Sequence, residues 1–330
     1  MKIGFFEMEQ WEREYVRPKL PNHELFFYTK DSQIPEKNIQ ILSNFIGYPV
    51  TNETLDQFPS LKYITTRSTG YDHIDLAACQ KRGIVVSNVP TYGENTVAEF
   101  AFALILALSR KLYPAIKRVR EQGLFATDGL QGFDLRGKTI GVVGAGHIGL
   151  HVIRMAKGFE MQVLAYDPFP KPELATQYGF SYASLDDLLA KSDIITLHVP
   201  YMSATHHLIN TEKFKLFKPG SLLINTSRGG LIDTQGLIEA LRNGIIAGAG
   251  LDVLEEEGFV KEEAHLLYHG HPKEEELKTV LADHELMQMD NVLITPHNAF
   301  NSREALERIL DTTVDNIENF AKGQPTNLVK

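Results

Sequence analysis

The sequence predicts an α/β fold with two doubly wound parallel sheets. Short apolar runs alternate with segments of 3.6-residue spacing almost from end to end, the pattern of strands covered by helices. The chain has 330 residues, more than the roughly 100–200 of one domain, so two cores are expected. One strand–turn–helix unit, "TIGVVGAGHIG" from Thr139 to Gly149, carries three glycines at nucleotide-fold spacing.

The strand-like runs, in order, are Lys2–Phe6, Glu24–Tyr28, Lys62–Thr66, Ile84–Asn88, Thr139–Val143, Gln162–Tyr166, Asp193–Val199, Ser221–Asn225, Ala247–Val253 and Asn291–Thr295. Helical spacing marks Ile148–Phe159, Leu185–Ala190 and Gly236–Asn243. A long helix is expected from Asn95 to Gln122, dividing the domains, followed by the glycine-rich connection "GLQGFDLRGK". Its apolar stretch "VAEFAFALILALS" is about 13 residues and contains Glu99; a membrane span needs about 20, so it reads as a buried helix. Residues 255–290 are charged and irregular, an insertion or lid by their length. Asp72, Asp75 and Asp233 read as helix caps.

The net charge of −9 argues against a broad nucleic-acid surface, which needs clustered Lys and Arg, but leaves room for a local anion pocket. A single cysteine, Cys79, cannot form an intramolecular disulfide. The start turns acidic too soon for a secretory signal, so no membrane association and a cytoplasmic location are expected.

In the glycine-rich turn, Gly144 permits the tight bend, Gly146 lets backbone approach a pyrophosphate, and Gly149 lets helix pack on strand. The first helical turn, with His147 and Ile148, offers N–H groups to phosphate. Asp167 ends the next strand, 18 residues after Gly149, where an acid accepts the adenosine ribose hydroxyls and repels a 2′-phosphate. NAD is therefore expected over NADP.

Three later strand ends carry chemistry: Arg228 in "LLINTSRGGLID", Asp252 and Glu255–Glu257 in "GAGLDVLEEEG", and His297 in "ITPHNAF". In α/β sheets ligands sit beyond the carboxyl ends of strands. An anion binder, a carboxylate and an acid/base suit reduction of a 2-keto acid. The guanidinium fork grips a carboxylate, and histidine donates the proton that the carbonyl oxygen needs. A carboxylate behind the histidine favours its protonated form.

The motifs "VVGAGHIG", "LHVPYMSATHHLIN", "INTSRGGLID", "GLDVLEEE" and "TPHNAF", in this order and spacing, resemble the D-2-hydroxyacid dehydrogenases over nearly the whole chain, most closely the D-lactate dehydrogenase branch. The resemblance implies two Rossmann-like domains with a cleft between them. Residues 1–100, completed by 300–330, would be the substrate domain, and residues 101–299 the inserted NAD-binding domain. It implies that Arg228, Glu257 and His297 are catalytic, with Arg228 also binding substrate alongside Thr69, Gly70, Tyr92 and Phe300. Gly144, Gly146, His147, Ile148, Gly149, Asp167, His198, Val199, Pro200, Thr205, Thr226, Ser227, Asp252, His297 and Ala299 would line the cofactor. In the family the region around the long helix supports dimerisation, so a homodimer is expected. Two positions depart from the commonest pattern, Gly258 after the glutamate and Phe300 in place of glycine, and both resemble the lactate branch.

Pyruvate is thus the expected substrate, with larger 2-keto acids, glyoxylate and phosphoglycerate-type acids as alternatives. A phosphorylated acid would want a further cation in the first domain, where Arg67 stands out. A cofactor-sensing corepressor of the same fold is a distant alternative. His265, His269 and His271 have partial metal-ligand spacing but lack a matching partner, and they read as solvated lid residues; His206 and His207 read as surface or loop residues.

Overall fold

The computed structural model describes residues 1–28, 36–255 and 274–329, which form two units, Met1–Tyr92 with Asn301–Lys330, and Gly93–Phe300. The expected boundary at 100/101 falls inside a helix, Glu94–Ser109, rather than in a connection.

In the first unit, strands β1 (Lys2–Phe6), β2 (Glu24–Tyr28), β3 (Ile41–Asn44), β4 (Tyr63–Thr66) and β5 (Val85–Ser87) form one parallel sheet in the order β2-β1-β3-β4-β5. Reversal at β1 makes it doubly wound. Helices α1 (Gln10–Val16), α2 (Asn52–Asp56) and α3 (Leu76–Lys81) connect the strands. Asp75 caps α3 by accepting the Ala78 N–H, whereas Asp72 lies in the turn before it and is no cap.

The second unit begins with α4 (Glu94–Ser109) and α5 (Leu112–Gln122). The single helix expected from Asn95 to Gln122 is therefore two. Lys111 takes a left-handed conformation, φ 49°, which no α-helix interior tolerates, and the chain restarts from it. α4 buries Ala98, Ala101, Phe102, Leu104 and Ile105, while α5 buries none of its residues.

Strands β6 (Thr139–Val143), β7 (Gln162–Tyr166), β8 (Ser181–Tyr182), β9 (Ile194–Leu197), β10 (Ser221–Asn225), β11 (Ile246–Leu251) and β12 (Val292–Ile294) form a seven-stranded parallel sheet in the order β12-β11-β10-β9-β6-β7-β8. The chain winds outward from β6 to β8, then returns to β9 on the other side. The switch point therefore lies between β6 and β9. Helices α6 (His147–Gly158), α7 (Pro172–Tyr178), α8 (Leu185–Lys191), α9 (Thr211–Phe214) and α10 (Thr234–Arg242) link these strands. The chain reads as irregular over 255–290, but α11 (Glu274–Gln288) occupies its end. Its Ala282 and Leu286 are buried in the core beside Leu237 and Leu241 of α10, and Glu285 pairs with Arg242 at 2.6 Å.

The C-terminal helix α12 (Arg303–Ala321) belongs to the first unit. Phe320 stacks on Tyr63 at 4.2 Å, and Asn316 donates to the Asn88 carbonyl. None of the described helices is long and apolar enough to cross a membrane.

Candidate active site

Register sets the site. Leu197, Asn225, Leu251 and Ile294 are neighbours across β9–β12, so the segments opening at His198, Thr226, Asp252 and Thr295 leave the sheet at one level. Val143 of β6 pairs with Leu197, which brings the glycine-rich turn to the same edge.

Two of the three glycines are demanded by the protein itself. Gly144 has φ +100°, and a Cβ there would lie 2.6 Å from the His198 carbonyl oxygen. A Cβ on Gly149 would lie 1.9 Å from the Gly144 carbonyl oxygen. Gly146 differs: its φ of −76° suits any residue, and a Cβ would meet nothing within 4 Å. The chain has no internal reason for glycine there. Bare backbone at the uncapped start of the 12-residue helix α6 fits a pyrophosphate drawn against its N–H groups. His147 is mostly exposed, with Nδ1 3.3 Å from Glu94 Oε1, and Ile148 packs on the core. Asp167 accepts the Ala145 N–H through one oxygen, at 3.0 Å, and the Phe169 N–H through the other, at 2.9 Å. It therefore shapes both the glycine-rich turn and its own.

Beyond β9, His198 Nε2 shares a hydrogen bond of 2.8 Å with Thr196 Oγ1. Burial lowers its pKa from 6.5 to about 3, so the ring stays neutral. Val199 is buried, and Thr205 ties the loop by donating to the Pro200 carbonyl at 2.8 Å.

Beyond β10, Asn225 builds the turn. Its Nδ2 donates to the Arg228 carbonyl and its Oδ1 accepts from the Ser227 N–H. The Ser227 hydroxyl donates to the Leu197 carbonyl. The buried Thr226 hydroxyl has no partner among the described residues. Arg228 is half-buried, and its Nη1 donates to the Ser227 carbonyl at 2.8 Å.

Asp252, 1% exposed, holds the segment that follows β12. Its Oδ1 accepts from the Thr295 hydroxyl and from the Asn298 N–H at 2.8 Å. Its Oδ2 accepts from the Ala299 N–H at 2.8 Å, and its carbonyl from the His297 N–H. Burial pushes this carboxyl above the usual range, while Thr295, the two N–H groups and the nearby His297 pull it back. These bonds hold His297 at φ 53°, a conformation that persists only when its surroundings enforce it. Phe300 meets the His297 ring edge-on, with centroids 6.4 Å apart. Glu257 lies outside the described residues, as do His265, His269 and His271.

In the first unit, Thr69 and Gly70 follow β4. The Thr69 hydroxyl donates to the Val89 carbonyl, and the Gly70 carbonyl accepts from the Ser68 hydroxyl. Neither residue donates its backbone N–H to another described residue. The Tyr92 carbonyl accepts from Arg308 Nε.

Three features differ from what the sequence suggests. Arg67 is 2% exposed, and its guanidinium donates to the carbonyls of Phe6, Glu7 and Ser43. Glu255 reaches both His207 Nε2, at 2.5 Å, and the Thr234 hydroxyl, at 2.7 Å, so His207 lies in a loop with a partly exposed ring but is tied to a carboxylate. Asp233 starts α10 but accepts from the Thr211 hydroxyl rather than capping that helix. The run of three glutamates gives no sign in sequence that Glu255 makes these bonds.

Residues 102–299 match the family model of the D-isomer specific 2-hydroxyacid dehydrogenase NAD-binding domain. The chain is 35% identical to the D-lactate dehydrogenase of Escherichia coli, over 100% of both chains. It is 37% identical to a glyoxylate reductase of Thermococcus litoralis, over 98% of this chain and 91% of the other. The crystal structure of a D-lactate dehydrogenase from Aquifex aeolicus complexed with NAD and lactic acid superposes with a TM-score of 0.85. It has 38% identity, covering 98% of this chain and 96% of that one.

Proposed function

The chain belongs to the D-isomer-specific 2-hydroxyacid dehydrogenase family, with its NAD-binding domain at residues 102–299, and from that premise we propose that it reduces pyruvate to D-lactate. The observation that carries this reading is the shared level of three strand ends. It leaves Arg228, Asp252 and His297 on adjacent segments at the carboxyl edge of one sheet. NADH, when bound at the glycine-rich turn, supplies the hydride for the keto carbon. Arg228 offers its fork to the substrate carboxylate and polarises the carbonyl. His297 gives its proton to the carbonyl oxygen, and Glu257 stabilises the protonated ring. Asp252 is a positioning residue, since both of its oxygens are engaged by the His297 segment. Gly144, Gly146, His147, Ile148, Gly149, Asp167, His198, Val199, Pro200, Thr205, Thr226, Ser227 and Ala299 line the cofactor. Asp167 selects NADH over NADPH. In the first unit, Thr69 and Gly70 offer N–H donors to a carboxylate, and Tyr92 contacts substrate.

Two observations favour a small apolar acid. Phe300 sets an aromatic ring against His297. Arg67, the cation a phosphorylated acid would call on, is spent on backbone carbonyls. The similarity to a glyoxylate reductase keeps glyoxylate as the second reading. Steady-state rates with pyruvate, glyoxylate, branched-chain 2-keto acids and 3-phosphohydroxypyruvate, each with NADH and NADPH, test the assignment. Pyruvate with NADH should give the highest kcat/KM. A higher value for any other acid displaces pyruvate, and a preference for NADPH removes the role of Asp167.

The assembly proposed is a homodimer through α5. Leu112, Tyr113, Ile116 and Val119 recur at helical spacing and are each about half exposed, and Phe125 beyond them is 97% exposed. The protein is further proposed to act in the cytoplasm.

A further inference from the structure

We propose that Glu255 is a positioning residue that joins the segments after β9, β10 and β11 into one platform, with His207 and Thr234 as its struts; this deepens the reading of Arg228 given above. The Glu255 carboxylate accepts from both struts. His207 Nε2 lies 2.5 Å from Oε1, and the Thr234 hydroxyl 2.7 Å from Oε2. Its side chain is 15% exposed, far less than a surface glutamate needs to be.

Each strut belongs to a different strand end. His207 lies beyond β9 in a left-handed conformation, φ 47°, and its N–H donates to the Gly230 carbonyl. Thr234, 6% exposed, opens α10 just after the Arg228 turn. Glu255 itself leaves β11 three residues beyond Asp252. Backbone packing completes the joint. A Cβ on Gly229, next to Arg228, would lie 2.0 Å from the Leu254 carbonyl and 2.3 Å from the Glu255 nitrogen. The segment carrying Arg228 is thus pressed onto the segment leading to Glu257, and the Glu255 bonds hold the two together. A paired, largely buried carboxylate is costly to leave half-satisfied, so losing one strut loosens the joint instead of being absorbed.

Because Arg228 meets the keto acid and not the cofactor, loosening should register in KM for the keto acid. Thr234→Val removes the hydroxyl at constant shape, and Thr234→Ser restores it. Thr234→Val should raise KM for the preferred 2-keto acid about tenfold, as one hydrogen bond to a charged group allows. KM for NADH should rise less than KM for the keto acid, and the thermal midpoint should stay close to wild type. Amide hydrogen exchange across residues 226–233 should quicken, and Thr234→Ser should return both KM and exchange toward wild type. Unchanged KM and exchange in Thr234→Val overturn the proposal. So does a parallel fall in every parameter together with the melting temperature, which marks general destabilisation. Should the wild-type chain reduce no 2-keto acid, the assignment above fails on its own account, and the exchange data decide this inference alone.

Discussion

Arg228 shows what a single side chain can be asked to do here. Its turn is fixed by Asn225 on both sides, so the guanidinium is presented on a rigid base. Arg228→Lys keeps the charge but loses the planar fork. We expect a loss of about 2 kcal/mol in transition-state stabilisation, or about thirtyfold in kcat/KM for the keto acid. Glu257→Gln should move the optimum for keto-acid reduction toward acid, because the proton on the donor is no longer held by a neighbouring charge. A pH–rate profile checks this, and an unchanged profile removes Glu257 from the pairing. His198 supplies a test in stability. Its folded pKa of about 3 lies below the ordinary 6.5, so between these values the unfolded chain binds the extra proton. Stability should therefore rise as pH rises from about 3 to 6.5, by up to about 1.4 kcal/mol per pH unit for this one site. His198→Gln should flatten that part of the curve in urea titrations at pH 4, 5, 6 and 7. Much of this was readable from sequence, since Arg228 and His297 end apolar runs and register carries strand ends to one edge. What was not readable was which way a carboxylate points. Asp252 turned to hold Thr295, Asn298 and Ala299, and Glu255 to hold His207, because the partners come from other strands.

At the scale of the element, the β6–α6 unit separates what the fold needs from what a ligand needs. Gly149→Ala should cost about 3 kcal/mol of stability, because its methyl meets a backbone oxygen that cannot move away. Gly146→Ala should change stability by no more than about 1 kcal/mol, since the site is open and its φ unremarkable. It should nevertheless raise KM for NADH at least about tenfold, because the lost space is the cofactor's. Thermal melts with and without NADH distinguish the two variants. Most strands were legible because fully buried parallel strands read as continuous apolar runs. Two were not. β8 is only Ser181–Tyr182, and β3, Ile41–Asn44, ends in two polar residues that are nonetheless buried. α11 was missed because its charged segment shows no clean apolar stripe, although Ala282 and Leu286 bury themselves against α10.

At the scale of the whole molecule, assembly is the property that the monomer's own packing leaves open. α5 has no buried residue, yet its apolar side chains share a face. Ile116→Arg on that face should shift the protein from dimer to monomer in sedimentation velocity without altering its melting cooperativity. A wild-type chain that sediments as a monomer removes α5 as an interface. The bend at Lys111 gives this a wider meaning. One continuous helix would have coupled the apolar core segment rigidly to the outward-facing one, so any change of partner surface would have been transmitted into the sheet. The left-handed residue uncouples them. Quaternary structure can then drift over evolutionary time, or be redesigned at the bench, while the cofactor-binding core keeps its shape.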